Sequence, residues 1–139
     1  MRCRTVYLHA HHIYAKKKLR EIPLIARRLS LRGFLLSGKP GYIGIQGEAA
    51  NVARFLTALR RMSWQSLEMR FESEEAVCAC VGGVSGAGCY DSFDIIGSPP
   101  GQKSNLRDLS KALRPSETAD KRKILETIVK YEVKDTNAL

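Results

Sequence analysis

Residues 33–40 read GFLLSGKP and match the phosphate-binding pattern G-x-x-x-x-G-K-[ST] except at the last position, which is Pro40. A working phosphate loop needs a hydroxyl for the metal ion and a helix that begins directly after the loop. Pro40 has neither a hydroxyl nor an N–H group, and apolar residues typical of strands lie on both sides of GKPG. The pattern favours a hairpin turn in which Pro40 fixes φ and Gly38 and Gly41 supply permissive dihedrals. We therefore expect Lys39 at a hairpin tip and no nucleotide site.

Three histidines close to one another raise the question of a metal site. His9 and His11 alternate onto one side of the segment TVYLHAHH, and His12 follows directly. No carboxylate or cysteine lies nearby in sequence, so a third ligand is missing. We expect His11 and His12 to end the strand and bond to the backbone, with contact to RNA as the alternative.

The cysteines and serines also give little support for a zinc site or a catalytic nucleophile. Cys78, Cys80 and Cys89 give C-x-C-x₈-C, whereas zinc sites prefer C-x₂-C pairs and four ligands. No serine lies in a nucleophile elbow, and no Cys–His pair is recognisable. The sequence predicts no metal, no cofactor and no enzymatic activity.

The order of elements indicates the fold. TVYLHAHH alternates as a half-buried strand, and a helix follows that we expect to begin near Ile22, because Pro23 is tolerated only in a first turn. The strands GFLLS and YIGIQG form the hairpin, EAANVARFLTALRRM has helical periodicity, and SLEMRFE alternates again. Strand, helix, strand, strand, helix, strand is the split β-α-β unit. The predicted class is α+β, a ferredoxin-like sandwich with an antiparallel sheet and two helices on one face.

Alternation also assigns the two faces of this sheet. We expect the helices to bury Val6, Leu8, Ile43 and Ile45. The opposite face is expected to be open and to show Tyr7, His9, Tyr42, Gly44 and Arg70. The residues Leu67, Met69 and Phe71 of the last strand are expected to face one way.

The chain divides into three segments by composition. Residues 1–72 form the ferredoxin-like domain, and residues 73–91 are acidic and then rich in glycine and small residues, which is typical of a flexible insertion. Residues 92–139 are expected to add a short strand at SFDIIG and two helices that pack on the domain, the second with Ser116 as its N-cap.

The ferredoxin-like acyl-phosphate hydrolases use an Arg in a glycine-rich loop after the first strand. This chain has HAHHIY there, so that activity is not expected.

Charge is distributed unevenly along the 139 residues. The net charge is +9, and residues 1–62 hold 13 of the 23 Lys and Arg residues but only two of the 14 acids. A field of this sign attracts phosphate backbones, anionic membranes or an acidic partner. No secretion signal and no apolar run of membrane-spanning length is apparent. We expect a soluble intracellular protein with no membrane partner.

An ordered set of short motifs gives a more specific clue. HHIY ends the first strand, KKKLR precedes the first helix, LRGF joins that helix to the hairpin GKPG, and GE and Trp64 bracket the second helix. This set resembles the C-terminal domain family shared by pre-mRNA-processing factor 3, a small nuclear ribonucleoprotein component, and RWD-domain-containing proteins. The match covers about residues 6–70. We expect no RWD domain in the few residues that precede the match in this sequence, and the tail looks more like the RWD-protein ending.

The resemblance implies a ferredoxin-like fold and a role in RNA binding and mRNA splicing. The predicted function is a non-catalytic RNA-binding module, with structured or small nuclear RNA as ligand and spliceosomal or other acidic proteins as further partners. The resemblance favours the nucleus over the cytoplasm. Aromatic rings on an open sheet stack on bases while cations contact phosphates. The predicted RNA-binding residues are Tyr7, His9, His11, His12, Lys16, Lys17, Lys18, Arg20, Lys39 and Tyr42.

The alternative is a protein-interaction adapter of the RWD-protein type without nucleic-acid binding. In that case the C-terminal helices would cover the sheet, and the basic surface would bind an acidic protein. Exposure of Tyr7 and Tyr42 separates the two hypotheses.

Overall fold

The structure is a computed structural model that describes residues 2–75, 90, 92–97, 106–114 and 120–129. Its elements, in chain order, are β1 (Cys3–Ala10), α1 (Lys16–Arg28), β2 (Arg32–Ser37), β3 (Gly41–Glu48), α2 (Ala49–Arg60), β4 (Leu67–Glu75), β5 (Phe93–Gly97), α3 (Leu106–Ala112) and α4 (Lys121–Ile128).

One five-stranded sheet in the order β4-β1-β3-β2-β5 organises the described part of the chain. The first four strands pair antiparallel, and β5 adds to the β2 edge in parallel. This arrangement confirms the predicted α+β ferredoxin-like fold. The strand predicted at SFDIIG is β5.

The helices α1 and α2 cover one face of the sheet, as predicted. Val6, Leu8, Ile43 and Ile45 lie in the core between sheet and helices, at most 4% exposed. The predicted start of α1 near Ile22 is wrong. The helix begins at Lys16 and contains a buried Pro23 in its interior, so the packing of its apolar side outweighs the missing N–H group.

The opposite face is covered by α3 and α4, so the expectation of an open face is wrong. Tyr7 and Tyr42 are each only 1% exposed and pack with Leu109, Ile124 and Ile128 of these helices. His9 is half-buried, and its ring makes an edge-on contact with Tyr42 at 5.3 Å between centroids. Burial of these aromatic rings gives the sheet a second core.

A β-bulge in β4 changes the predicted facing of that strand. Leu8 pairs with Met69 and Tyr7 with Phe71, so Arg70 is the extra residue. A bulge inserts one residue and reverses the alternation after it. Met69 and Phe71 therefore lie on opposite faces, and Arg70 is half-buried and donates to the carbonyl of Ile128 in α4 at 2.6 Å.

Besides its helices, the C-terminal part of the chain contributes Tyr90 to the second core. β4 continues to Glu75, beyond residue 72, and most of the expected flexible insertion lies outside the described residues. Tyr90 is described and is 5% exposed in the second core. Ser116 lies outside the described residues, and the N-cap of α4 is Asp120, whose side chain accepts from the backbone N–H of Lys123 at 2.8 Å.

Candidate nucleic-acid interface

The segment GKPG is a hairpin connection and not a phosphate loop. β2 ends at Ser37, β3 begins at Gly41, and Leu36 pairs with Tyr42 across the turn. A strand rather than a helix follows Lys39, so this turn does not lead into a helix N-terminus as a phosphate loop does. Lys39 itself is exposed at the tip, as predicted.

Glycine is favoured at the two ends of this turn for two different physical reasons. Gly38 has a φ of +126°, which glycine tolerates best. Gly41 is not among the positive-φ residues, so the expectation of a permissive dihedral there is wrong. Its Cα is covered by Ile13, and a Cβ built on Gly41 would collide with that side chain. Gly41 is needed here for close approach.

The hairpin is tied to the segment between β1 and α1. Ile13 donates to the carbonyl of Gly38 at 2.9 Å, and Gly38 donates back to Ile13 at 3.1 Å. This bridge brings Lys39 close to His12 and Tyr14, whose half-buried rings stack at 5.2 Å between centroids. His11 is held by its backbone N–H, which donates to Ser66 at 3.1 Å, and its ring contacts His12 edge-on.

The first turn of α1 carries cations and no acid. Lys16, Lys17 and Arg20 are exposed, and the N-cap residue Ala15 offers no side-chain acceptor to the backbone N–H groups. Cations at a helix N-terminus are repelled by the positive end of the helix dipole. A bound anion is therefore favoured there, because it offsets the charge of the side chains and that of the dipole. This end of α1 is therefore suited to contact phosphate.

Lys18 has a structural role that the sequence did not indicate. Its ammonium donates to the carbonyl of Ser63 and lies over the Trp64 ring, 3.8 Å from the centroid. Desolvation by burial lowers the pKa of Lys18 below its usual value. Lys18 connects α1 to the loop after α2 and is less available to RNA than its neighbours.

That connection brings two further cations to the same end of the sheet. Arg60 and Arg61 end α2 and are exposed. Their position just before Trp64 was visible in the sequence, but only the contact of Lys18 with Trp64 places them beside the start of α1. We call the set Lys16, Lys17, Arg20, Lys39, Arg60 and Arg61 the basic rim.

Tyr7 and Tyr42 lie on the covered face of the sheet and cannot serve as a stacking platform for bases in this structure. Tyr7 lies under α3 and α4, and its hydroxyl is 2.8 Å from the hydroxyl of Tyr90. Tyrosine is already neutral at physiological pH, and burial raises the pKa of Tyr7 and Tyr90 further. The predicted stacking role of Tyr7 and Tyr42 is therefore not supported, and His9 is half-buried against Tyr42.

Within the described ranges, no three His, Cys, Asp or Glu side chains come together as a metal site. Cys78, Cys80 and Cys89 lie outside those ranges. The helices of the described part are all too short or too polar to cross a membrane.

No family model matches the chain. Among solved structures, full-length HypF in its phosphate- and nucleotide-bound form is similar at 17% identity and a TM-score of 0.45, over 73% of this chain and 13% of HypF. Acylphosphatase from Bacillus subtilis is 13% identical over 69% of this chain and 99% of its own length, with a TM-score of 0.44. A bacterial light-regulated adenylyl cyclase is 13% identical over 68% of this chain and 28% of its own, with a TM-score of 0.49.

These likenesses are distant and show the fold alone. The chain spans only a small part of HypF, although it spans nearly all of the acylphosphatase. These neighbours include enzymes, but fold does not carry activity with it, and function has to be argued from the site.

Proposed function

We propose that this protein is a non-catalytic RNA-binding module that contacts phosphates through the basic rim. The observation that carries the proposal is the convergence of exposed cations from three chain segments. The hairpin tip is tied to the β1–α1 segment by the Ile13–Gly38 bridge, and α2 is tied to α1 by Lys18. Cations that converge in this way match a phosphate backbone better than isolated surface charges do.

Aromatic rings beside the rim support RNA over a purely electrostatic ligand. His12 and Tyr14 stack on each other at its edge and are half-exposed. Single-stranded RNA is commonly held by such rings together with cations. The resemblance to the splicing-factor domain points in the same direction, and a nuclear location and small nuclear RNA as ligand are part of the proposal.

Fluorescence anisotropy with short single-stranded and hairpin RNA, at about 50 and 200 mM salt, tests the proposal. The rim variant Lys16→Glu/Lys17→Glu/Lys39→Glu should bind every RNA more weakly, and its salt slope should fall by about one for each phosphate that the protein no longer neutralises. The matched control Lys121→Glu/Arg122→Glu/Lys123→Glu makes the same charge change in α4, on the opposite face. Absence of RNA binding by the wild type, or equal weakening in both variants, would refute the assignment.

A protein-interaction adapter is the second candidate, and one observation favours it. Tyr7 and Tyr42 are buried under α3 and α4, as the adapter hypothesis expects, so the RNA proposal no longer includes stacking on the open sheet and rests on the basic rim. Titration with polyglutamate and with RNA of equal charge separates the two functions. An adapter for acidic proteins should bind polyglutamate at least as tightly as RNA, whereas an RNA-binding module should prefer RNA.

A further inference from the structure

A cleft of about 350 Å³ lies between the end of α2 and the edge strand β4. Most of the residues that line it have apolar side chains, but polar atoms make up the larger part of its exposed surface. The side chains that matter here are Arg60, Met62, Trp64, Gln65, Leu67 and Met69. The volume is near the lower end for ligand pockets, about 300–1,000 Å³, so it suits one planar ring system and not a base pair.

The cleft adjoins the basic rim. Arg60 belongs to both, and the ammonium of Lys18 lies 3.8 Å from the centroid of the Trp64 ring. A ligand that occupies the cleft therefore lies beside a strongly positive surface. This complementarity favours a ligand that joins a flat, weakly polar group to negative charge, which describes a nucleotide within a strand.

We propose that this cleft receives one unpaired base of the RNA strand whose phosphates contact the basic rim. The inference rests on the proposed function and adds to it a preference for unpaired nucleotides. Trp64 supplies the aromatic surface, and its Nε1 donates to the carbonyl of Leu59 at 2.6 Å, which fixes the ring. Met62 and Met69 offer sulfur contacts to the base, and the exposed amide of Gln65 can pair with its edge.

Trp64 is the single tryptophan of the chain, so its fluorescence reports on the cleft directly. The test uses wild-type protein with a short oligouridylate and with an abasic ribose-phosphate oligomer of equal length and charge. We expect the oligouridylate to quench Trp64 emission and to bind about 5- to 150-fold more tightly, as stacking of one base on an aromatic ring allows. The abasic oligomer should bind through the rim without quenching.

A pair of variants on the two edge strands provides the control. Met69→Gln changes the cleft, and Ile95→Gln makes a similar change on β5 at the other edge, at 42% and 48% exposure respectively. The base-dependent gain in affinity should shrink in the first variant and persist in the second. Equal binding of both oligomers without quenching would overturn the base site and leave rim binding intact. Absence of binding by either oligomer would overturn the proposed function, and the base site with it.

Discussion

The hydroxyl groups of Tyr7 and Tyr90 lie 2.8 Å apart in the second core, although 83 residues separate them in sequence. The Tyr90 hydroxyl donates to the carbonyl of Ala112 at 2.7 Å, and the backbone N–H of Arg114 donates to the Tyr7 hydroxyl at 3.3 Å. With those partners, Tyr7 donates to Tyr90, and the chain of hydrogen bonds runs from the end of α3 through β1 and back. The C-terminal helices are thus attached to the sheet by polar as well as apolar contacts.

This buried pair predicts a loss of stability at alkaline pH. Burial raises the pKa of both tyrosines, so above about pH 10 the unfolded chain releases protons that the folded chain retains. The folded state then binds more protons, and the free energy of unfolding falls as pH rises. The decrease should steepen above about pH 10 and approach about 1.4 kcal/mol per pH unit for each tyrosine, which urea denaturation between pH 9 and 11 checks.

The variant Tyr90→Phe removes one of the two protons and should show a correspondingly smaller slope, despite lower stability at neutral pH. Leu109→Ala, which lowers stability in the same core without removing a titrating group, should keep the wild-type slope. An unchanged alkaline slope in Tyr90→Phe would contradict the buried pair.

Packing of α3 on the sheet can be tested within one helix. Leu109 is fully buried in the second core, so Leu109→Ala should lower the free energy of unfolding by about 2–5 kcal/mol. Leu106 begins the same helix at 47% exposure, and Leu106→Ala should stay within about 0.5 kcal/mol of wild type. Urea denaturation measures both. Similar small effects at the two positions would mean that α3 does not form part of the core.

Period-two alternation, helical spacing and the GKPG turn were sufficient to predict the four-stranded antiparallel core and its two helices. They left open whether the C-terminal helices cover the second face, because alternation shows which residues share a face and not whether that face is exposed to solvent. One signal was present in the sequence, the uninterrupted apolar run FLL of β2. In the structure, β3 beside it is buried on both faces from Gly41 to Gly47. Continuous apolar strands are typical of sheets covered on both sides.

The residues of the candidate site were also predicted only in part, because the sequence shows local features and not the contacts between distant segments. Lys16, Lys17, Arg20 and Lys39 are exposed as expected, because charge at a helix start or a turn tip is local information. Arg60 and Arg61 were not assigned, since their place beside α1 depends on the contact of Lys18 with Trp64. The bulge at Arg70 was also missed, because it inserts one residue into a strand whose sequence still alternates.

Neighbouring lysines at the start of α1 should behave differently when each is replaced by methionine. Lys18→Met removes the ammonium from the Trp64 ring and abolishes the hydrogen bond to Ser63, so the free energy of unfolding should fall by about 0.5–1 kcal/mol. Lys17 is exposed, so Lys17→Met should leave stability unchanged. Thermal denaturation checks both values.

In RNA titrations the two variants should rank in the reverse order, with the larger effect on binding in Lys17→Met and the smaller one in Lys18→Met. Under the proposed function, Lys17→Met lowers the salt slope of binding by about one, since one phosphate is no longer neutralised by the protein. Lys18→Met should lower it less, because its ammonium is already engaged within the protein. A larger decrease in RNA affinity in Lys18→Met than in Lys17→Met would contradict the division of roles between these two residues.

Close approach of Ile13 to Gly41 predicts a specific non-additivity. Gly41→Ala places a Cβ against the Ile13 side chain and should cost about 1–3 kcal/mol of stability through overpacking. Ile13→Ala alone should cost about 2–5 kcal/mol, because Ile13 is fully buried. In the double variant, the shortened side chain leaves room for the new methyl group, so Gly41→Ala should cost less there by at least about 0.5 kcal/mol.

Gly38→Ala is the matched control in the same turn. Its penalty comes from a φ of +126° and not from a side-chain collision, so it should be the same with Ile13 or Ala at position 13. Urea denaturation of the six proteins, the wild type included, gives both coupling energies. Additive effects for Gly41→Ala would show that the Ile13 side chain does not cover it, and the backbone bridge between Ile13 and Gly38 alone would then hold the hairpin tip beside His12 and Tyr14.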